Sequence, residues 1–331
     1  MHAPDGFLTL PVAVGTGLLS AGAVGVGLRQ SREQLGERQV PLAGLTAAFV
    51  FAAQMVNFPV AAGTTGHLMG GALAAVLLGP WVGLLVVTVV VVVQALVFAD
   101  GGLTALGYNV LNMAVVTALG GWGVFRLGRR LLPRTRTGVA VAAGLAGVAS
   151  VVLSALAFSL EWLVGASAPV PFDRVFGAMV GVHLLIGIGE GVITGLTVAA
   201  VLGARPDLAT GARDLRVPAA RSARLRPFAL AAVAAALVVA AGVAQFAVDD
   251  PDGLERVAED TGFADAGRDH RFADGPFADY ATAGVADEAV SLALAGIAGT
   301  LLTLAVGGGL FAAVRGRPRA PGPSDRQSVS D

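Results

Sequence analysis

The chain has 331 residues, 55% of them hydrophobic and 14% charged, with a formal net charge of −1 and a mean hydropathy of +0.74. Such a composition excludes an ordinary soluble domain, and near-neutral charge with basic residues scattered over short loops excludes a nucleic-acid partner. All 22 basic residues are arginine and there is no cysteine. Without a lysine there is no phosphate-binding P-loop, so any ATP hydrolysis falls to another subunit, and disulfides, thiolate ligands and thiol nucleophiles are excluded as well.

Apolar stretches long enough to cross a hydrocarbon core of roughly 30 Å recur along the chain, which predicts an all-α, polytopic transmembrane bundle. No basic segment precedes the first apolar run, so no cleavable signal peptide is expected. That run spans about 7 to 28 and is followed by Arg29, Arg32 and Arg38, a loop assigned to the cytoplasm by the positive-inside rule. Apolar blocks near 41–60, 67–79, 81–98 and 104–125 lead to Arg126, Arg129, Arg130, Arg134 and Arg136. The block from Gly66 to Gly79 is short and glycine-rich, the mark of a close-packed or partly re-entrant element. Blocks at about 138–163 and 174–203 reach a third arginine-rich stretch, 205–226. The last two, 227–248 and 289–314, flank a segment, 249–288, that holds 12 of the 23 carboxylates against three arginines.

About nine crossings result, with the arginine-rich loops and the C-terminus cytoplasmic and Met1, His67 and the acidic segment outside. Four regions are expected: a seven-span domain over 1–205, a cytoplasmic linker over 206–226, a two-span domain over 227–316, and a disordered tail over 317–331.

The candidate chemistry starts at Met1-His2. A terminal amine, the amide nitrogen of residue 2 and the Nδ1 of His2 can close five- and six-membered chelate rings around one ion in a plane, a layout suited to Ni(II), Cu(II) or Co(II). A fourth donor is needed, and His67 is the imidazole expected on the same side. The alternatives are a polar His2 at a helix entrance and a His67 satisfied by Thr64 or Thr65. Asp100, Asn109 and Asn112 are candidates for orienting the ligand imidazoles. The asparagines, three residues apart, share a helix face and fit interhelical hydrogen bonding equally well. His183 and Glu190 lie about two turns apart on one helix, roughly 10 Å, too far for one ion, so a structural role or a subunit contact is expected. Pro251-Asp252-Gly253-Leu254-Glu255 reads as a turn, with a weaker role in attracting cations. No serine-hydrolase elbow, His-Glu-x-x-His motif or aspartate pair for an intramembrane protease is present, so transport or binding is the expected class.

Four separated segments, Met1–Leu8, Gly63–Trp81 with Gly66-His67-Leu68, Phe98–Met113, and His183–Gly195, together resemble the CbiM/NikM substrate-binding component of energy-coupling-factor cobalt and nickel transporters. The stretch around Pro251–Glu255, with a span on either side, resembles the PDGLE domain often fused to it. The resemblance implies an importer component of the plasma membrane. It would capture Co²⁺ or Ni²⁺ as cargo, with no permanent cofactor, and work with a separate transmembrane coupling subunit and cytoplasmic ATPase subunits. It implies ligation by the Met1 amine, the His2 amide and imidazole, and His67. Ala3 departs from the isoleucine common in the family, which bears on the packing of the N-terminal loop rather than on coordination. The rival class is a secondary transporter or channel that works without ATPase partners.

Overall fold

The computed structural model describes residues 1–36, 39–61, 63–215 and 225–315. The tail expected over 317–331 and the greater part of the linker, 216–224, lie outside the described residues. Helix α1 spans Leu10–Gln34 and α2 spans Gln39–Gln54, after which the chain turns into a hairpin, β1 (Phe58–Ala61) and β2 (Thr64–Gly66). Helices α3 (Gly71–Leu78), α4 (Pro80–Val97), α5 (Leu106–Leu131), α6 (Arg136–Gly165) and α7 (Phe172–Ala204) complete the first segment. The C-terminal segment holds α8 (Leu225–Ala241), the short α9 (Gly253–Thr261) and α10 (Glu288–Val314).

Seven helices among the described residues are long and apolar enough to cross a membrane: α1, α4, α5, α6, α7, α8 and α10. The chain is thus an all-α multi-pass bundle, but two of the nine apolar blocks are built otherwise. Block 41–60 stops being helical at Gln54, because Pro59 disfavours a helical Phe58 and the strand pairing Phe58↔Gly66 and Pro59↔Thr65 takes over. Block 67–79 yields only the eight residues of α3, roughly 12 Å of helix, which cannot span the core. Gly79, at φ 93°, ends α3, and Pro80 starts α4 at once.

Large apolar side chains such as Leu18, Leu131, Leu163, Leu196 and Leu230 point outward, as lipid-facing helices require. Inside, α6 and α7 pack through small residues: a Cβ on Gly191 would stand 2.7 Å from the Gly144 carbonyl oxygen, so only glycine permits the approach. Helix α5 contains a π-helical stretch, Leu111–Val116, and this breaks the spacing argument for its two asparagines. Asn109 precedes the stretch and turns to the N-terminal loop, whereas Asn112 lies within it and donates to Glu161 of α6 at 2.8 Å.

Met1–Leu8, the 63–70 loop, the 98–105 loop and the acidic segment come together at one end of the bundle. Glu190, buried on α7, ties the second of these down by accepting the backbone N–H groups of Met69 and Gly70. Glu190→Ala is expected to leave both amides unpaired, at about 1–3 kcal/mol each. A lowered thermal unfolding midpoint in detergent checks this, with Glu190→Gln expected to restore part of the loss.

Candidate metal centre

The N-terminal loop is a built element rather than a loose end. Asp5 collects the backbone N–H groups of Leu103 at 3.2 Å, Thr104 at 2.6 Å and Ala105 at 3.2 Å, together with the Thr104 hydroxyl at 2.6 Å. Asn109 clamps residue 3 from both sides, accepting from Ala3 N at 2.9 Å and donating to Ala3 O at 3.0 Å, and Gly102 N donates to the same carbonyl. The Tyr108 hydroxyl donates to Pro4 O at 3.1 Å. Residue 3 is thus fixed through its backbone N–H and carbonyl, groups that alanine and isoleucine share.

That anchoring buries Met1 and positions its amine. The amine nitrogen lies 3.1 Å from His67 Nε2 and pairs with Asp252 Oδ2, which itself stands 3.7 Å from His67 Nε2. With metal–nitrogen bonds of about 2.0–2.1 Å, adjacent donors of a square site stand roughly 2.9 Å apart, so the amine and His67 are spaced as neighbouring ligands. His67 Nδ1 donates to Leu68 O at 3.1 Å, which leaves Nε2 with its lone pair directed at the amine. The His2 ring stacks on that of His67, with centroids 5.2 Å apart and planes 23° from parallel. His2 Nδ1 is 3.3 Å from Asp100 Oδ1, and Nε2 is 3.0 Å from Gln94 Oε1.

Burial lowers the His2 imidazole to a pKa of about 4, against the opposing pull of Asp100, so at neutral pH its lone pair is available. At Asp252, burial pushes the carboxyl up, but the terminal ammonium beside it outweighs this and holds the group well below the usual carboxylate range. Glu255 is raised, first by the neighbouring Asp252 charge and then by burial.

The expected residues therefore divide. Met1, His2, His67, Asp100 and Asn109 converge, Asn109 acting on the loop backbone rather than on an imidazole. Asn112 is engaged with Glu161 instead. His183 donates Nδ1 to Met179 O and turns toward Gly253, beside the turn that carries Asp252. Two residues were missed or undervalued. Asp252, which the sequence places in a turn with a weaker role in attracting cations, touches the amine, while Tyr280 hydrogen-bonds Gln94 and Asp100. Tyr280 could have been suspected from composition: the chain has two tyrosines, and both hold this site. Among the described residues no three His, Cys, Asp or Glu side chains group as a conventional metal cluster. The converging nitrogens are two imidazoles and the amine of the terminus. They open on a cavity of about 840 Å³ also lined by Asp249, Glu255, Asp279 and Glu288.

Comparison with known proteins gives this geometry its context. The family model described as the cobalt uptake substrate-specific transmembrane region matches residues 2–208, and that of the PDGLE domain matches 226–316. A fused nickel transport protein of Rhodobacter capsulatus is 37% identical over 241 residues, 69% of each chain. The cobalt transport protein CbiM of Geobacter sulfurreducens is 37% identical over 253 residues, 72% of this chain and 71% of that one. A relative from Archaeoglobus fulgidus is 36% identical over 309 residues, 93% of this chain and 97% of its own. A solved structure titled as a truncated transition metal transporter superposes with a TM-score of 0.55 at 31% identity, covering 62% of this chain and 99% of its own. The chain belongs to the CbiM family, carries a C-terminal PDGLE domain, and is a non-enzymatic, multi-pass membrane protein of transition-metal uptake.

Proposed function

We propose that the chain is the substrate-capture component of an ATP-driven energy-coupling-factor importer for divalent cobalt or nickel. It takes the ion through four nitrogens: the Met1 amine, the His2 amide and Nδ1, and His67 Nε2. The observation that carries this reading is the 3.1 Å separation of the amine and His67 Nε2, which matches the edge of a square-planar site. The amide of His2 lies between amine and imidazole in the covalent chain, so it falls into the plane once the other donors bind. Binding displaces protons from the amine and the amide to water.

The site faces the extracytoplasmic side in this reading. Its end of the bundle is the acidic one, while Arg129 and Arg130 lie in the last turn of α5 at the far end and Arg134 and Arg136 follow it. Carboxylates around the cavity raise the local cation concentration at its mouth. Residues 1–205 form the ion-binding domain and 227–316 the accessory domain, and a separate coupling subunit and ATPases supply the work, since the chain has no lysine for a P-loop.

Calorimetric titration of the purified chain, bearing an unextended Met1, tests the ligands. His67→Ala or His2→Ala is expected to abolish tight Ni²⁺ and Co²⁺ binding, and unchanged affinity in both would refute the site. Placing one residue before Met1 displaces the amine and spoils the ring sizes, so binding should be lost again; retained affinity would exclude the chelate. In proteoliposomes, ion uptake is expected only with the coupling and ATPase subunits present, and uptake by this chain alone would favour the secondary transporter or channel.

A further inference from the structure

The C-terminal domain reaches the ion site at two points, one at each end of the Met1-His2 dipeptide. Asp252 does so from the start of α9. Its Oδ1 caps the helix, accepting from Leu254 N at 2.7 Å and Glu255 N at 3.0 Å, while Oδ2 is left to hold the terminal amine. Glu255 closes the capping box by accepting from Asp252 N at 2.9 Å. The turn is pinned by the strand that leads to His67: Thr65 N donates to Pro251 O at 2.9 Å and the Thr65 hydroxyl to Asp250 O at 2.8 Å. Gly253 permits the close approach, since a Cβ there would stand 2.5 Å from Ile186 Cδ1 and 3.1 Å from His183 Cε1.

Tyr280 makes the second contact. Gln94 donates its Nε2 to the Tyr280 hydroxyl at 3.0 Å, and that hydroxyl donates to Asp100 Oδ2 at 2.6 Å. This sequence of bonds fixes the Gln94 amide with its oxygen toward His2. The oxygen can only accept, so the proton of the neutral His2 ring sits on Nε2 and the lone pair on Nδ1. Nδ1 then faces Asp100 Oδ1 at 3.3 Å, two acceptors whose repulsion a cation between or beside them relieves.

We propose that the C-terminal domain is the orienting shell of the ion site: Asp252 aligns the Met1 amine beside His67, and Tyr280, acting through Gln94, holds His2 in the tautomer whose Nδ1 binds metal. The inference rests on the four-nitrogen reading above. Both residues are positioning residues and neither is a ligand. When the ammonium gives up one proton to water and its lone pair to the ion, the remaining N–H groups still donate to Asp252 Oδ2. The same contact therefore serves the empty and the loaded site, and the carboxylate need not move. Outer groups of this kind typically change metal affinity roughly 10- to 100-fold when removed.

The test uses the full chain with a free Met1, in detergent, with Ni²⁺ as the probe and ¹⁵N-labelled histidine for spectroscopy. In the parent chain, the ¹⁵N shifts of His2 should report protonated Nε2 and bare Nδ1. Tyr280→Phe keeps the ring and removes the hydroxyl; it is expected to release Gln94, introduce an Nδ1-protonated population of His2 and weaken Ni²⁺ binding roughly 10- to 100-fold. Asp252→Asn retains a good helix cap and is expected to weaken binding by a similar factor with the His2 tautomer unchanged. If both variants bind Ni²⁺ as the parent does, and the tautomer does not move, while His67→Ala abolishes binding, the orienting role is wrong and the four-nitrogen site stands. If His67→Ala also leaves binding intact, the four-nitrogen reading fails first.

Discussion

One ion pair organises this end of the molecule: the terminal ammonium of Met1, buried between Asp252 and His67. A charge removed from water and left alone would cost several kcal/mol, and the pairing with Asp252 offsets part of that penalty. The pair can form only if the first residues of the chain and the turn before α9 arrive at the same place. Most of the polar contacts nearby serve that convergence. Asp5 and Asn109 bring the first, and Thr65 with the capping box brings the second.

Under the proposed four-nitrogen reading, the geometry follows a general need of metal capture from water. An ion of this kind selects donors through their number, type and planarity, so the donors must be held in place before it arrives. A terminal amine is ordinarily the most mobile group in a chain. Here it is immobilised by five residues of loop whose backbone is tied to α5 and to the segment before it, and by a carboxylate from 251 residues away. His67 sits on an equally fixed loop, because Glu190 receives the amides of Met69 and Gly70. The helices thus act at a distance: their role at the site is to set loops, and the loops carry the nitrogens.

Much of this was legible in the sequence. Hydropathy and arginine spacing predict a multi-pass bundle and bring Met1, His67 and the acidic segment to one side, and the chelate can be drawn from Met1-His2 alone. The exceptions have local causes. Hydropathy does not distinguish a spanning helix from an apolar hairpin, so Pro59 and the Gly79-Pro80 break had to override it. Asn112 was placed by a 3.6-residue period that the π-helical stretch at Leu111–Val116 does not obey. Asp252 and Tyr280 lie far along the chain from every donor, and a contact between distant segments leaves no period to read. Only the chemistry of a turn and the scarcity of tyrosine hinted at them.

The turn that carries Tyr280 shows where the two segments press hardest on each other. Asp279 and Tyr280 both adopt left-handed backbone angles, φ 51° and 57°, which cost non-glycine residues on the order of 1–3 kcal/mol each. Such a pair persists only where its surroundings over-determine it. Asp279 N donates to Phe98 O at 2.9 Å, and the Tyr280 ring stacks on Phe98 with centroids 5.0 Å apart, while the hydroxyl is fully committed to Gln94 and Asp100. Burial and the Asp100 charge hold the Tyr280 hydroxyl well above its ordinary pKa, so it remains a donor to that carboxylate. A loop following its own preferences would relax this backbone. It is held in the strained form by Phe98, Asp100 and Gln94, the last two of which also face His2, so the strain is localised where the C-terminal segment meets the N-terminal loop.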